Sequence, residues 1–307
     1  MAVDTETLDT LPKWLRYDAE KYGDSKVAMI HKDFGLWNRY TYRDCYEHCK
    51  YFGLGLISLG LERGDKVSIV GDSDPYWYWA EYASQAVGAT ILGLFVDCIP
   101  SEARYIVEQS ESRFVVAKDQ EQVDKMLRFA HELPIKNIIY WEYKGMWSYD
   151  DPLLIGWKEV EELGREYEKG HPGSFEESID KGKGDDYSVL LYTSGTSGLP
   201  KGAMHTFKTQ LACNKSLMET FPLTSEDKYV SCFAPGYVAD QMIGVCSGLT
   251  RGVQMCFAEE PETVNENIRE IAPEWLLFTP RMWESVASMV MAKMIDMIIA
   301  LKIYSAE

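Results

Sequence analysis

Between residues 67 and 141 the chain alternates short apolar runs with longer segments whose apolar side chains recur every three or four positions. The runs at 67–70, 90–96, 113–117 and 137–141 are too short for helices and too continuous for half-exposed strands, so they predict strands buried on both faces. The segments between them, 75–87, 101–109 and 121–131, carry helical spacing. Strands alternating with helices of ten or so residues predict a mainly parallel sheet covered on both sides.

Upstream, 11–22 predicts a short helix and 36–40 a strand, and Thr41 caps a helical pattern that runs to Leu59 and closes at Gly60. The rhythm breaks over 149–186, where Glu, Lys and Gly accumulate around an HPGS turn; this predicts a helix plus a surface connection. It then resumes, with strands expected at 188–192, 228–233, 253–257 and 275–278 and helices at 207–221, 240–249 and 261–271. The expected fold is α/β, two layers of βα units, with a first subdomain over 1–185 and a second over 186–307.

Composition narrows the function. A chain of 307 residues that is 46% hydrophobic can bury a substantial core. Its formal net charge of -17, without a long basic run, argues against nucleic acid held by phosphate neutralisation, so an anionic ligand would need a local site. Seven cysteines form no C-x-x-C pair, which argues against a disulfide framework and for a reducing, cytoplasmic setting. Cys45 and Cys49 share a helix face, but nothing completes a metal set, and buried thiols are the expectation. The polar, acidic start MAVDTETLDTLPKW lacks the build of a signal peptide, so the mature chain is expected to begin there. No stretch has the 18 or more uncharged apolar residues a membrane span requires; peripheral membrane contact is left open.

The candidate chemistry sits in LLYTSGTSGLPKG, residues 190–202. An apolar strand runs into the hydroxyls of Thr193, Ser194, Thr196 and Ser197, the glycines Gly195, Gly198 and Gly202, and the cation of Lys201. Open α/β sheets place ligands at the carboxyl ends of their strands. Glycines let backbone N–H groups approach a ligand, hydroxyls add donors and lysine adds a point charge, so the implied target is a polyphosphate. Two familiar motifs nearly fit. A Walker A loop needs a hydroxyl after its lysine, where Gly202 stands, and a nucleophile elbow needs G-x-S-x-G, where Gly195 comes one place early. The plain alternative is a Ser/Gly surface turn.

The stretch YTSGTSGLPKG at 192–202 resembles the phosphate loop of the adenylate-forming superfamily. Further segments resemble the long-chain acyl-CoA synthetases in particular: TYRD at 41–44, GLERGDKVSIVGDSDPYWYWAEYASQAVGAT at 60–90, EARYIVEQSESRFVVAKD at 102–119 and TPRMWESV at 279–286. The resemblance implies that a carboxylate, here a fatty acid, attacks the α-phosphate of ATP to give acyl-AMP and pyrophosphate. The thiol of coenzyme A, a co-substrate, then displaces AMP. It further implies that Thr193, Ser194, Gly195, Thr196, Ser197, Gly198, Lys201 and Gly202 hold the phosphates, that Lys201 and Thr196 act on the reacting charge, and that the Thr193 hydroxyl touches Mg²⁺.

A second motif, FAPGYVADQ at 233–241, falls where these synthetases usually carry a histidine beside the acyl pocket; here the residue is Tyr237. A phenol can pack and donate a hydrogen bond, and an ordinary packing role for Tyr237 stands beside the substrate role. In TPRMWE, Arg281, Trp283 and Glu284 fit capping and packing better than catalysis. The family's adenine, ribose and hinge segments do not appear in the 307 residues, so the resemblance implies the N-terminal portion of a synthetase, inactive alone. The alternative is a non-catalytic nucleotide-binding or protein-interaction module. Residues 289–303 predict a helix with apolar side chains on more than one face, suited to self-association or membrane adsorption.

Overall fold

The computed structural model describes residues 7–193 and 199–304, without the side chains of residue 296 and residues 298–304. Its strands are, in chain order, β1 (Val27–Asp33), β2 (Leu36–Thr41), β3 (Lys66–Val70), β4 (Thr90–Leu94), β5 (Ser112–Ala117), β6 (Asn137–Tyr140), β7 (Leu154–Gly156), β8 (Tyr187–Thr193), β9 (Lys201–Thr206), β10 (Lys228–Val230) and β11 (Gln254–Phe257). Among the described residues they form a seven-stranded sheet in the order β7-β6-β5-β3-β4-β8-β9 and a four-stranded sheet in the order β10-β11-β1-β2. Every pairing is parallel except the hairpins β8/β9 and β1/β2. The expected α/β class, mainly parallel sheets covered by helices, is the class observed.

The large sheet follows from its sequence. All five residues of β4 are buried, as are four of the five in β3, so neither strand presents a polar face to water. One face packs against the helices Pro100–Ser110 and Gln120–Leu127, whose Ala103, Ile106, Val107, Val123 and Met126 join Val70, Leu92, Leu94, Val115 and Ile138 in a single cluster. The helix Pro75–Ala86 is buried almost all round, its aromatic and alanine side chains lying on more than one face with Glu81, Ser84 and Gln85 buried among them. Its Tyr78 meets Phe257 of β11 edge to face, with ring centroids 5.0 Å apart. A Cβ on Gly93 of β4 would lie 3.2 Å from its Trp77 ring. This helix therefore joins the two sheets. Truncating a side chain such as Trp77, fully buried, typically costs about 3–5 kcal/mol.

Local rules hold where they were legible. Thr41 and Asp44 form a reciprocal capping box on the helix Tyr42–Ser58, and Gly60 turns the chain with φ +88°. Cys45 and Cys49 are buried free thiols whose pKa burial pushes upward, and among the described residues there is no metal-binding group of His, Cys, Asp or Glu. Three strands escape the periodicity, β1, β7 and β9. The expected strand at 275–278 is absent apart from an isolated bridge at Trp275, since four apolar residues form a strand only where a neighbour offers ladder partners. Both sheets draw strands from either side of residue 185.

The chain divides into two compact units, Met1–Glu274 and Trp275–Glu307. The second contains the helix Pro280–Tyr304, on which Met291, Met294, Ile295 and Met297 are exposed. No helix among the described residues is long and apolar enough to cross a membrane.

Candidate functional site

Strand β8 runs between β4, parallel to it, and β9, antiparallel to it. Its alternate residues divide cleanly: Val189 and Leu191 pack on Met242, while Leu190 enters the core on the other face. The strand ends at Thr193, which faces Lys201 across the hairpin, and Tyr192 faces Gly202. Strands β8 and β9 thus form the arms of a β-hairpin, whose Thr193 and Lys201 pair at the carboxyl end of β8. This corrects the expectation of a loop leading from strand straight to helix: 201–206 reads as polar and small, so the periodicity shows no strand there, yet its backbone completes the β8 ladder.

Thr193 and Lys201 are exposed, and among the described residues the Lys201 side chain has neither an ion pair nor a hydrogen bond. A Cβ on Gly202 would lie 3.1 Å from the Tyr192 ring, so glycine lets the hairpin close beside that ring. The Tyr192 hydroxyl bonds Gln109. Ser194, Gly195, Thr196, Ser197 and Gly198 lie outside the described residues. An exposed lysine and threonine flanking the tip suit a highly charged anion, which would be satisfied by groups the fold itself leaves unused.

The second motif forms a tight turn on the same edge. The Tyr237 N–H donates to the Ala234 carbonyl at 2.8 Å, and Tyr237 precedes a helical run over 238–250. A Cβ on Gly236 would lie 3.1 Å from the Gly93 carbonyl carbon, so two glycines bring this turn directly onto β4. Leu92 of β4 pairs with Leu190 of β8, which places the turn and the hairpin at neighbouring strand ends. Tyr237 is 46% exposed and stacks on Phe233 at 5.8 Å, and its hydroxyl has no partner among the described residues. Packing on one ring face and a free polar tip are compatible with both roles expected for it.

Behind the turn lies a polar network that no local pattern in the sequence announces. The helical run contains a π-helical turn, Gln241–Val245, a distortion that recurs at functional sites. The Gln241 amide donates to Glu81 Oε2 at 2.7 Å and to the Pro235 carbonyl at 2.9 Å, and accepts from Gln210 at 3.0 Å. Asn214 donates to the Met242 carbonyl at 2.8 Å. Asp240 accepts from Tyr78 at 2.7 Å and Ser231 at 2.9 Å. Burial pushes the Asp240 carboxyl up to about 6 against the opposing hydrogen bonds, and the Glu81 carboxyl up to about 8. The sequence signal is Glu81 in the aromatic-rich stretch PYWYWAEYASQA, and beside Ser84 and Gln85 it reads as one polar residue among several.

Arg281, Trp283 and Glu284 belong to the second unit. There Thr279 caps the helix, its hydroxyl accepting from Met282 N at 3.3 Å, and Trp283 packs on Phe278 at 5.1 Å, the plainer of the two readings.

The model of the family described as AMP-binding enzyme matches residues 15–300. The long-chain-fatty-acid–CoA ligase ACSBG2 of Xenopus laevis is 28% identical over 286 residues, covering 90% of this chain and 38% of its own. That of Gallus gallus is 29% identical over 291 residues, covering 92% and 37%. The chain therefore spans less than two fifths of these relatives. Among solved structures, VinN superposes with a TM-score of 0.70 at 18% identity, over 92% of this chain and 64% of that one. A long-chain-fatty-acid-CoA ligase from Archaeoglobus fulgidus gives 0.66 at 19%, over 87% and 51%. These two likenesses establish the fold, that of the large N-terminal domain of adenylate-forming enzymes. With the match extending across nearly its whole length, the chain belongs to the AMP-binding enzyme family.

Proposed function

We propose that this chain supplies the phosphate-holding and acid-binding portion of an ATP-dependent ligase that activates a fatty acid as acyl-AMP and passes it to coenzyme A. The observation that carries the reading is Lys201, an exposed cation without an ion pair among the described residues, standing opposite Thr193 in the two strands that flank the Gly-rich segment in sequence. In the first step a carboxylate oxygen bonds to the α-phosphorus and pyrophosphate leaves. Lys201 would offset charge on the departing phosphates, and Thr196 with its loop neighbours would orient them. Mg²⁺ would arrive on the triphosphate, and the Thr193 hydroxyl would be the group of this hairpin to touch it. The fatty acid is the substrate class in the names of the ACSBG2 relatives, and Tyr237 on the exposed turn would meet it.

A second reading, a nucleotide-binding or docking module without ligase activity, draws on the short coverage of the relatives and on the exposed Met291, Met294, Ile295 and Met297. Those side chains would favour self-association or adsorption to a lipid surface, which light scattering and liposome sedimentation measure. One experiment separates the readings: titrate the 307-residue chain with Mg-ATP by calorimetry, and assay AMP release with oleate, Mg-ATP and coenzyme A. Binding without turnover is the expected result. Robust AMP release would overturn the view of this chain as a portion, and absence of Mg-ATP binding would overturn the phosphate assignment.

A further inference from the structure

The network behind the Tyr237 turn has a hierarchy. The Gln241 amide uses both of its N–H groups, one on Glu81 Oε2 at 2.7 Å and one on the Pro235 carbonyl at 2.9 Å, while its oxygen takes the Gln210 amide at 3.0 Å. The Gln241 backbone N–H also donates to the Tyr237 carbonyl at 3.1 Å. One residue thus grips the turn at Pro235 and at Tyr237. What fixes Gln241 in turn is Glu81, whose second oxygen accepts from Gln85 at 3.0 Å, Gln85 being itself tied to the Ser188 carbonyl of β8 at 3.3 Å. The chain of bonds runs from the strand that carries the phosphate hairpin to the turn that carries Tyr237.

A carboxyl at position 81 is expensive as mere packing. Glu81 is fully buried with no cation against it among the described residues, and the groups facing it are Tyr82 and Gln85 on its own helix and Asp240, Gln241 and Cys246 on the helical run. Burial first, then the Asp240 charge, raises its pKa to about 8, against hydrogen bonds from Gln241 and Gln85 that lower it. An apolar residue would avoid that desolvation, but it would leave the Gln241 N–H without an acceptor and the Pro235 carbonyl sharing a loose amide.

We infer that Glu81 is a positioning residue for the Ala234–Tyr237 turn, acting through the Gln241 amide to hold the aromatic wall of the acid-binding site in one shape. The wall's identity as an acid-binding site rests on the function proposed above; the positioning does not. Ionisation of Glu81 places a second buried negative charge beside Asp240, so the closed turn is progressively disfavoured as pH rises from about 4.5 to about 8.

Amide hydrogen exchange of the 307-residue chain reads this directly. Glu81→Leu should raise exchange in peptides covering 234–241 by about tenfold or more and leave β3 and β5 unchanged, a local opening as distinct from global unfolding. Glu81→Gln keeps a carbonyl that accepts from Gln241 and should retain protection. Corrected for intrinsic rates, protection of the parent turn should fall as pH rises from about 4.5 to about 8 and be level above, and that slope should be missing in Glu81→Gln. A residue that only filled space would give neither the rescue nor the altered pH profile. If Glu81→Leu exchanges everywhere because it unfolds, Gln241→Met, of similar volume without the amide, must still open 234–241 selectively. Unchanged protection of the turn in folded Glu81→Leu or Gln241→Met would overturn the inference. Added oleate should slow exchange of the same peptides in the parent; failure there counts against the acid-binding reading alone, since the opening is measured without ligand.

Discussion

The β8/β9 hairpin and the Tyr237 turn occupy neighbouring strand ends, yet they are built on opposite principles. The hairpin leaves two described polar side chains unused: Lys201 is exposed and has no ion pair among the described residues, and Thr193 is exposed beside it. The turn is held from behind. Gln241 satisfies all of its amide groups inside the protein, and Asp240 takes two or more hydroxyls. A site for an outside charge must keep partners free, because the ligand supplies the missing ones. A wall that sets shape must be satisfied internally, because any slack in it appears as motion of the wall. The two kinds of region should therefore fail differently.

The strongest way to break this contrast is pH. Asp240 has its carboxyl raised from an ordinary 3.8 to about 6, chiefly by burial. Between those values the unfolded chain gives up a proton that the folded chain keeps, so stability falls as pH rises from about 4 to 6 and is level above for this group. Roughly two pKa units correspond to about 3 kcal/mol at most. Asp240→Asn should remove most of that slope in thermal melts from pH 4 to 6, leaving the part due to Glu81, which begins near its ordinary 4.5 and continues to about 8. A parent whose stability rises across this window would show that the turn's acids are ionised in the fold, and the internally satisfied wall would lose its basis.

Lys201→Ala tests the other side. Losing a charge-assisted contact to phosphate costs about 1.5–3 kcal/mol, so Mg-ATP affinity by calorimetry should drop about 10- to 100-fold. Stability should shift within about 0.5 kcal/mol, as for exposed positions away from special contacts. A variant that melts much earlier, with affinity unchanged, would mean that the lysine serves the hairpin and not a ligand.

The same contrast decides what the sequence could show. A site left unsatisfied concentrates its chemistry in one stretch, and ten residues from Thr193 to Gly202 suffice to suggest a polyphosphate. The buried strands of the large sheet and the capped helix after Thr41 are legible for a similar reason, since periodicity and caps are local. Strand β9 is not, because KGAMHT carries no apolar alternation and exists by pairing with β8. Nor is the grip on the Tyr237 turn, which joins Glu81, Gln210 and Gln241 across separations of more than a hundred positions in one case. On its own helix each of these reads as an ordinary polar side chain. Gly93 and Gly236 are likewise unremarkable until the fold brings their backbones together.

Tyr237→Phe is the smallest change and the sharpest. The Tyr237 hydroxyl has no partner among the described residues, whereas its ring stacks on Phe233 at 5.8 Å. Phenylalanine keeps the ring and removes only the oxygen. If the tyrosine serves packing alone, melting temperature and oleate binding should both stay as they are. If it meets a carboxylate, stability should hold within about 0.5 kcal/mol while the substitution weakens oleate binding by the worth of one hydrogen bond, about 0.5–1.5 kcal/mol, or roughly 2- to 12-fold. The substrate role predicts the second pattern, and calorimetry with oleate on both proteins resolves it. A loss of stability with unchanged affinity would put the hydroxyl inside the network with Asp240 and Gln241, and move Tyr237 from the open side of the comparison to the closed one.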